Sequence, residues 1–209
     1  MGLSAEQLRA GLDALGGIEP AFAAALGRVG YPEPRVRDPG YATLLRTILG
    51  QQVSVQSANA VWRKLDTLVG DASDPVTIAA ASDETLRAAG LSRQKASYAR
   101  SLADEVTSGR LDLNALPADD EEAIAQLVRV KGIGRWSAEI YLLFAEGRLD
   151  IWPAGDLAVQ IEVGRILGHD ARPSEKQVRA LAEAWRPHRS AAAIFTWHHY
   201  GAGPDPAPV

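Results

Sequence analysis

Apolar residues recur at spacings of three and four through most of this 209-residue chain, and no segment sustains the strict alternation of a half-buried strand. Ser4-Ala5-Glu6-Gln7 reads as a capping box opening a helix to about Leu15, and Glu19 to Arg28 gives a second. Tyr31-Pro32-Glu33-Pro34-Arg35-Val36-Arg37-Asp38-Pro39 is a proline-broken connector. Beyond it, Tyr41–Leu49 and Ser54–Val69 form two amphipathic helices interrupted at Gly50-Gln51-Gln52-Val53. Leu44, Leu45, Ile48 and Leu49 share one face of the first; Val55, Ala58, Val61, Trp62 and Leu65 share one face of the second.

Short helices follow over Val76–Ala80 and Asp83–Ala88, and Gly90-Leu91-Ser92 stops one helix and caps the next, Arg93 to Thr107. The pattern continues with Glu121–Val128, Arg135–Glu146, Asp156–Leu167, Ser174–Trp185 and Ser190–Tyr200, ahead of a low-complexity tail whose last residues, 204–209, are expected to be flexible. The fold class is therefore all-α.

Composition narrows the class of function. Hydrophobic residues make up 46% and charged residues 23%, as in a soluble globular protein. The absence of cysteine excludes disulfides, zinc–cysteine sites and a cysteine-ligated iron–sulfur cluster. No apolar run is long enough to cross a bilayer, and Met1-Gly2-Leu3-Ser4 lacks the features of a signal peptide, so a cytoplasmic location is expected. His169, His188, His198 and His199 show no metal-ligand spacing. The formal net charge of −4 opposes indiscriminate coating of nucleic acid. A nucleic-acid partner would have to be held by backbone groups and a few placed cations. The acidic run Asp119-Asp120-Glu121-Glu122 reads as a complement to a helix dipole on a solvated face.

The densest chemistry lies in Leu127-Val128-Arg129-Val130-Lys131-Gly132-Ile133-Gly134-Arg135-Trp136-Ser137-Ala138. One helix ends, two glycines flank a single apolar residue, and a second helix begins at once. Glycine permits the left-handed backbone of so tight a hairpin and lets a phosphate approach the N–H groups of the second helix. A dinucleotide fingerprint is disfavoured because no strand precedes Gly132 and Ser137 takes the third glycine position. A nucleotide-triphosphate loop is excluded by the lack of Gly-Lys-Ser/Thr. Gly-Ile-Gly alone is compatible with an ordinary helix–helix turn.

The longer string Leu127-x-x-Val130-Lys131-Gly132-Ile133-Gly134-Arg135-Trp136-Ser137-Ala138, followed by Pro153-Ala154-Gly155-Asp156-Leu157, resembles the helix-hairpin-helix-Gly/Pro-Asp DNA glycosylases. Within them it is most similar to the 3-methyladenine DNA glycosylase II (AlkA) branch. Ile48-Leu49-Gly50-Gln51-Gln52-Val53-Ser54, Gly90-Leu91-Ser92-x-x-Lys95-Ala96 and Trp185-Arg186-Pro187-x-Arg189-Ser190-x-Ala192-x-x-x-Thr196-Trp197 add to the resemblance, which runs from about Tyr41 to Tyr200. The chain is too short to hold the N-terminal β-rich domain of that branch.

The resemblance implies two helical lobes with the active-site cleft between them. Residues 40–148 would end in the hairpin, and 1–39 together with 149–203 would carry the catalytic aspartate. It implies a monofunctional glycosylase that flips alkylated purines out of damaged double-stranded DNA and hydrolyses the N-glycosidic bond. The enzyme would act as a monomer and, in a bacterium, at the nucleoid. Asp156, by itself an ordinary N-cap candidate, takes the catalytic role.

Trp136 takes the flipped base, attracting a cationic purine by cation–π as well as stacking, with Trp197, Tyr141 and His198 as further wall residues. Gln52 is the implied wedge in the duplex beside Gln51. Lys131, Gly132, Ile133, Gly134, Arg135 and Ser137 form the DNA-binding hairpin. The carbonyls of Val128, Val130 and Ile133 match a monovalent-cation site beside a phosphate, with no cofactor otherwise required. Two other functions compete: a non-catalytic helix-hairpin-helix DNA-binding module, and a lyase-type glycosylase for oxidised bases. The latter is opposed by Trp136 at the position of the Schiff-base lysine and by the missing iron–sulfur cysteines.

Overall fold

Ser4 and Gln7 close the first helix reciprocally. The Ser4 hydroxyl accepts from the Gln7 N–H at 3.1 Å, and the Gln7 side chain accepts from the Ser4 N–H at 3.0 Å. The computed structural model describes residues 2–202, in which every regular element is helical. The expected flexible tail, 204–209, lies outside the described residues. Helix α1 spans Ala5–Ile18 and α2 spans Pro20–Val29, with the proline connector irregular after them. Then come α3 (Tyr41–Gly50), α4 (Val55–Val69), α5 (Pro75–Ala80), α6 (Asp83–Ala88), α7 (Arg93–Thr107), α8 (Asp120–Leu127) and α9 (Arg135–Tyr141). A π-helical turn over Leu142–Glu146 leads to α10 (Leu157–Leu167), α11 (Glu175–Leu181), a 3₁₀ turn over Ala182–Trp185 and α12 (Arg189–Ala202).

These residues form two compact units: Asp38–Tyr141, and the residues up to Arg37 with those from Leu142 onward. The division expected near 39/40 and 148/149 thus falls earlier at both points. The reason is local. The Tyr141 hydroxyl accepts from the Gly40 N–H at 2.8 Å, whereas one turn later the Phe144 carbonyl accepts from the Arg37 N–H at 2.9 Å. The helix expected over Arg135–Glu146 therefore ends as an α-helix at Tyr141, and its wider π turn buries Leu142, Leu143, Phe144 and Ala145.

The unit containing both termini is built on Leu8, Leu12 and Leu15 of α1, all at i, i+4, i+7 spacing and fully buried. Phe22 meets Trp185 edge-on with centroids 5.0 Å apart, and Trp185 meets Trp152 edge-on at 5.3 Å. The buried Trp152 indole donates to the Val178 carbonyl at 3.2 Å, which offsets the cost of taking its N–H out of water. This aromatic cluster anchors the chain immediately before Asp156.

In the other unit α3 supplies Leu44, Leu45, Ile48 and Leu49, each essentially inaccessible and each worth about 1.5–3 kcal/mol by burial. Helix α7 offers Ala96, Ala99 and Ala103, whose small side chains let its neighbours approach. Helix α4 departs from the expected pattern: Leu65 is its one buried residue and Val55 is 78% exposed. Val55 opens the helix right after the Ser54 cap, where nothing covers the first turn.

Candidate active site and nucleic-acid interface

Asp156 is placed by a turn fastened on both sides. Its N–H donates to the Pro153 carbonyl at 2.9 Å, and the Gln160 side-chain amide donates to the Ala154 carbonyl at 2.8 Å. Asp156 then caps α10, its Oδ1 accepting from the Val159 N–H at 3.0 Å. The Trp197 indole N–H donates to the same oxygen at 3.3 Å. Two donors on one oxygen fix the plane of the carboxyl group. Trp197 is itself held, its ring lying against Phe144 with centroids 5.6 Å apart and planes tilted 33°. The Arg37 guanidinium sits 5.8 Å from the Phe144 centroid. Phe144, Gln160 and Arg37 gave no signal in the sequence, since their relation to Asp156 runs through a π turn and a connector.

His198, expected as a wall for the base, has another task. Its Nε2 is paired with the Val29 carbonyl at 3.1 Å, at the C-terminal end of α2. Tyr141 is 2% exposed, with its hydroxyl engaged by Gly40 as above, so its ring serves the core and presents no free face. Trp136 is the contrasting case. It stands 47% exposed at the start of α9. Next to His198, His199 pairs through Nδ1 with Glu162, a fully buried carboxylate that also accepts from Arg165 at 2.8 Å.

The hairpin's two glycines do different work. Gly132 has φ +86°, and a Cβ there would lie 2.1 Å from Tyr98 Cδ2; both conformation and packing require glycine. Gly134 has no such requirement, and a Cβ on it would meet open space. The expectation that both glycines serve a left-handed backbone is corrected: only Gly132 does. Open space at Gly134 suits a close approach from outside, and the N–H groups opening α9 have no acceptor four residues back. Ile133 buries its side chain between them. Its N–H donates to the Val130 carbonyl at 3.0 Å, leaving the Val128 and Ile133 carbonyls outside the hairpin's own backbone bonds. Neutral carbonyls of this kind suit a hard monovalent ion, and among the described residues no cluster of His, Cys, Asp or Glu is arranged for a metal.

Arg135 was expected to meet DNA. Instead it forks onto Glu121 of α8, with Nη1 at 2.8 Å from Oε2, and reaches the buried Glu139 at 2.9 Å through Nε. The Glu121 hydrogen bond, with both carboxylates nearby, raises its already high pKa. Arg135 therefore fastens the hairpin's two helices together, and Glu121 is a partner in that clamp as well as a dipole complement. Gln51 is also committed internally, donating to the Gly132 carbonyl at 2.7 Å. Ser137 is buried, and the Lys131 N–H donates to the Ser101 hydroxyl at 3.0 Å. Lys95 donates to the Leu49 carbonyl at the end of α3 at 2.7 Å, and burial lowers its pKa. Gln52 differs from all of these: it is exposed, with φ +56°, unusual for a residue bearing a side chain.

Residues 45–187 match the family model described as HhH-GPD superfamily base excision DNA repair protein. The chain belongs to that superfamily. It is 32% identical over 197 residues to DNA-3-methyladenine glycosylase 2 of Escherichia coli, covering 88% of this chain and 67% of that protein. The Bacillus subtilis protein YfjP is 27% identical over 165 residues, covering 75% of this chain, which spans 58% of that relative's length. Among solved structures, Schizosaccharomyces pombe 3-methyladenine DNA glycosylase Mag1 in complex with abasic DNA superposes with a TM-score of 0.74 at 27% identity, covering 91% of this chain and 95% of that one. The matched stretch contains both the hairpin segment Val130–Arg135 and Asp156. No helix among the described residues is long and apolar enough to cross a membrane.

Proposed function

We propose that this HhH-GPD protein is a monofunctional DNA glycosylase that releases alkylated purines of the 3-methyladenine and 7-methylguanine type from double-stranded DNA. The observation that carries the reading is the Asp156 carboxylate, held by the Val159 and Trp197 N–H groups at the head of α10. The E. coli and S. pombe relatives, both 3-methyladenine glycosylases, and the abasic DNA bound to the latter support the substrate class.

In this reading the N–H groups opening α9 take a phosphate, Gln52 fills the stack vacated by the flipped nucleotide, and Trp136 receives the base. The glycosidic C–N bond breaks with its electron pair leaving on the purine. Positive charge grows on the sugar, and the fixed negative charge of Asp156 stabilises it more in the transition state than in the ground state. A water oxygen then bonds to the anomeric carbon and loses its proton, leaving an abasic site. A cationic purine is the better leaving group, and a tryptophan face attracts it.

Where a monovalent cation binds, the carbonyls of Val128, Val130 and Ile133 would hold it, adding positive charge beside the phosphate. The protein would act as a monomer in the cytoplasm, at the nucleoid in a bacterium. Chromatography of the bases released from methylated DNA tests the reading. Free 3-methyladenine and 7-methylguanine are expected. Tight duplex binding with no base released would instead identify a non-catalytic DNA-binding module.

A further inference from the structure

A surface groove of about 680 Å³ lies in the unit Asp38–Tyr141, bounded by α6, α7 and Lys131 of the hairpin. Five cations line it, in a chain whose formal net charge is −4, so positive charge is concentrated here against the overall balance. Its carboxylates are partly spent. Asp83 is paired with Arg100 at 2.8 Å and Glu105 with Arg110 at 3.1 Å, leaving Asp104 as the remaining acid. Arg100 is further tied to the Ala81 carbonyl at 2.6 Å, so it belongs to the wall. Among the described residues, Arg87, Arg93 and Lys131 are exposed cations with no carboxylate partner.

The groove is also tied to the hairpin by one hydrogen bond and one packing contact. Ser101, in its floor, accepts the Lys131 N–H at 3.0 Å, and Tyr98 one turn earlier lies directly against Gly132. Lys131 is thus shared between the hairpin and the groove, whose exposed Arg93 and Arg87 have no carboxylate partner among the described residues, Arg87 bonding only the Asp83 carbonyl at 3.4 Å.

We infer that this groove is a second nucleic-acid site, taking phosphodiester backbone of the duplex outside the lesion, with Arg87 and Arg93 as its contacts. The inference rests on the proposed DNA reading and extends it. The hairpin would set the register at the lesion, and the groove would supply sequence-independent, salt-sensitive affinity on the flank.

The test is equilibrium binding of wild type and the R87A/R93A double variant to duplexes carrying one abasic-site analogue, one about 12 and one about 30 base pairs long, across a salt series; removing two phosphate contacts should lower the log–log salt slope by about 2. For the long duplex, roughly tenfold weaker binding near 0.1 M salt is expected, with the short duplex and saturated excision unaffected. Restoration by R87K/R93K separates charge from fold. Unchanged affinity and slope on the long duplex would overturn the inference. So would a mononucleotide that saturates the groove, loses binding in R87A/R93A and leaves duplex affinity alone, since the site would then be for a small anion. Wild type that shows this length-dependent binding but neither prefers the abasic site nor releases base would overturn the glycosylase reading and leave the groove standing.

Discussion

The Trp197 indole N–H donates to Asp156 Oδ1 at 3.3 Å, the oxygen that also caps α10. This joins the last long helix to the carboxylate at the start of another, 41 residues earlier in the chain. Trp197→Phe keeps an aromatic ring beside Phe144 and removes the donor together with part of the indole. A hydrogen bond to a charged group is worth about 1.5–3 kcal/mol, so single-turnover excision should fall by roughly ten- to a hundredfold. Stability should fall by a comparable amount in urea unfolding, while affinity for abasic-site DNA should hardly move. An excision rate equal to wild type would reduce Trp197 to packing.

Gly132 and Gly134 should respond oppositely to alanine. Gly132→Ala places a methyl group 2.1 Å from the Tyr98 ring at φ +86°, and should destabilise the fold by roughly 2 kcal/mol or more. Gly134→Ala meets open space and should stay within about 0.5 kcal/mol of wild type while weakening binding to abasic-site DNA. Denaturant melts alongside binding isotherms check both. Equal stability losses would contradict the assigned division of labour.

Much of the helix order was legible because starts and stops are local signals. Ser4, Ser54, Ser92, Asp156 and Ser174 all cap the helices they precede. What the sequence could not show was where long side chains spend their polar groups. Arg135 reads as a cation facing phosphate until the fold brings Glu121 to it from 14 residues away. His198 reads as an aromatic wall until Val29, 169 residues distant, claims its nitrogen. Gly132 and Gly134 look alike in a string and differ only once Tyr98 packs beneath one of them. Local signals marked Asp156 only as a helix cap, its catalytic role coming from the resemblance, and its tryptophan partner became visible only in the fold.

Gln52→Gly should separate backbone strain from function. Glycine adopts φ +56° freely, so stability should be unchanged or higher by about 1 kcal/mol. Excision from duplex DNA should fall more than excision from single strands, because only the duplex has a stack to fill. Comparable losses on both substrates would remove Gln52 from the wedge role.

Glu162 is fully buried between Arg165 and His199. Glu162→Gln removes the charge from the pair and should destabilise by about 1 kcal/mol, read from urea unfolding, because the Arg165 left behind is half exposed. A variant as stable as wild type would mean that the amide satisfies both partners equally well.

Asp156→Asn tests the catalytic role of this carboxylate most directly, by single-turnover excision of 7-methylguanine and hypoxanthine with saturating enzyme. The amide oxygen can still accept from the Val159 and Trp197 N–H groups, so the melting temperature and the affinity for abasic-site DNA should be retained. Excision should fall by on the order of a hundredfold or more, and further for neutral hypoxanthine than for cationic 7-methylguanine. A folded variant that excises both bases at the wild-type rate would leave Asp156 a helix cap and contradict the catalytic assignment.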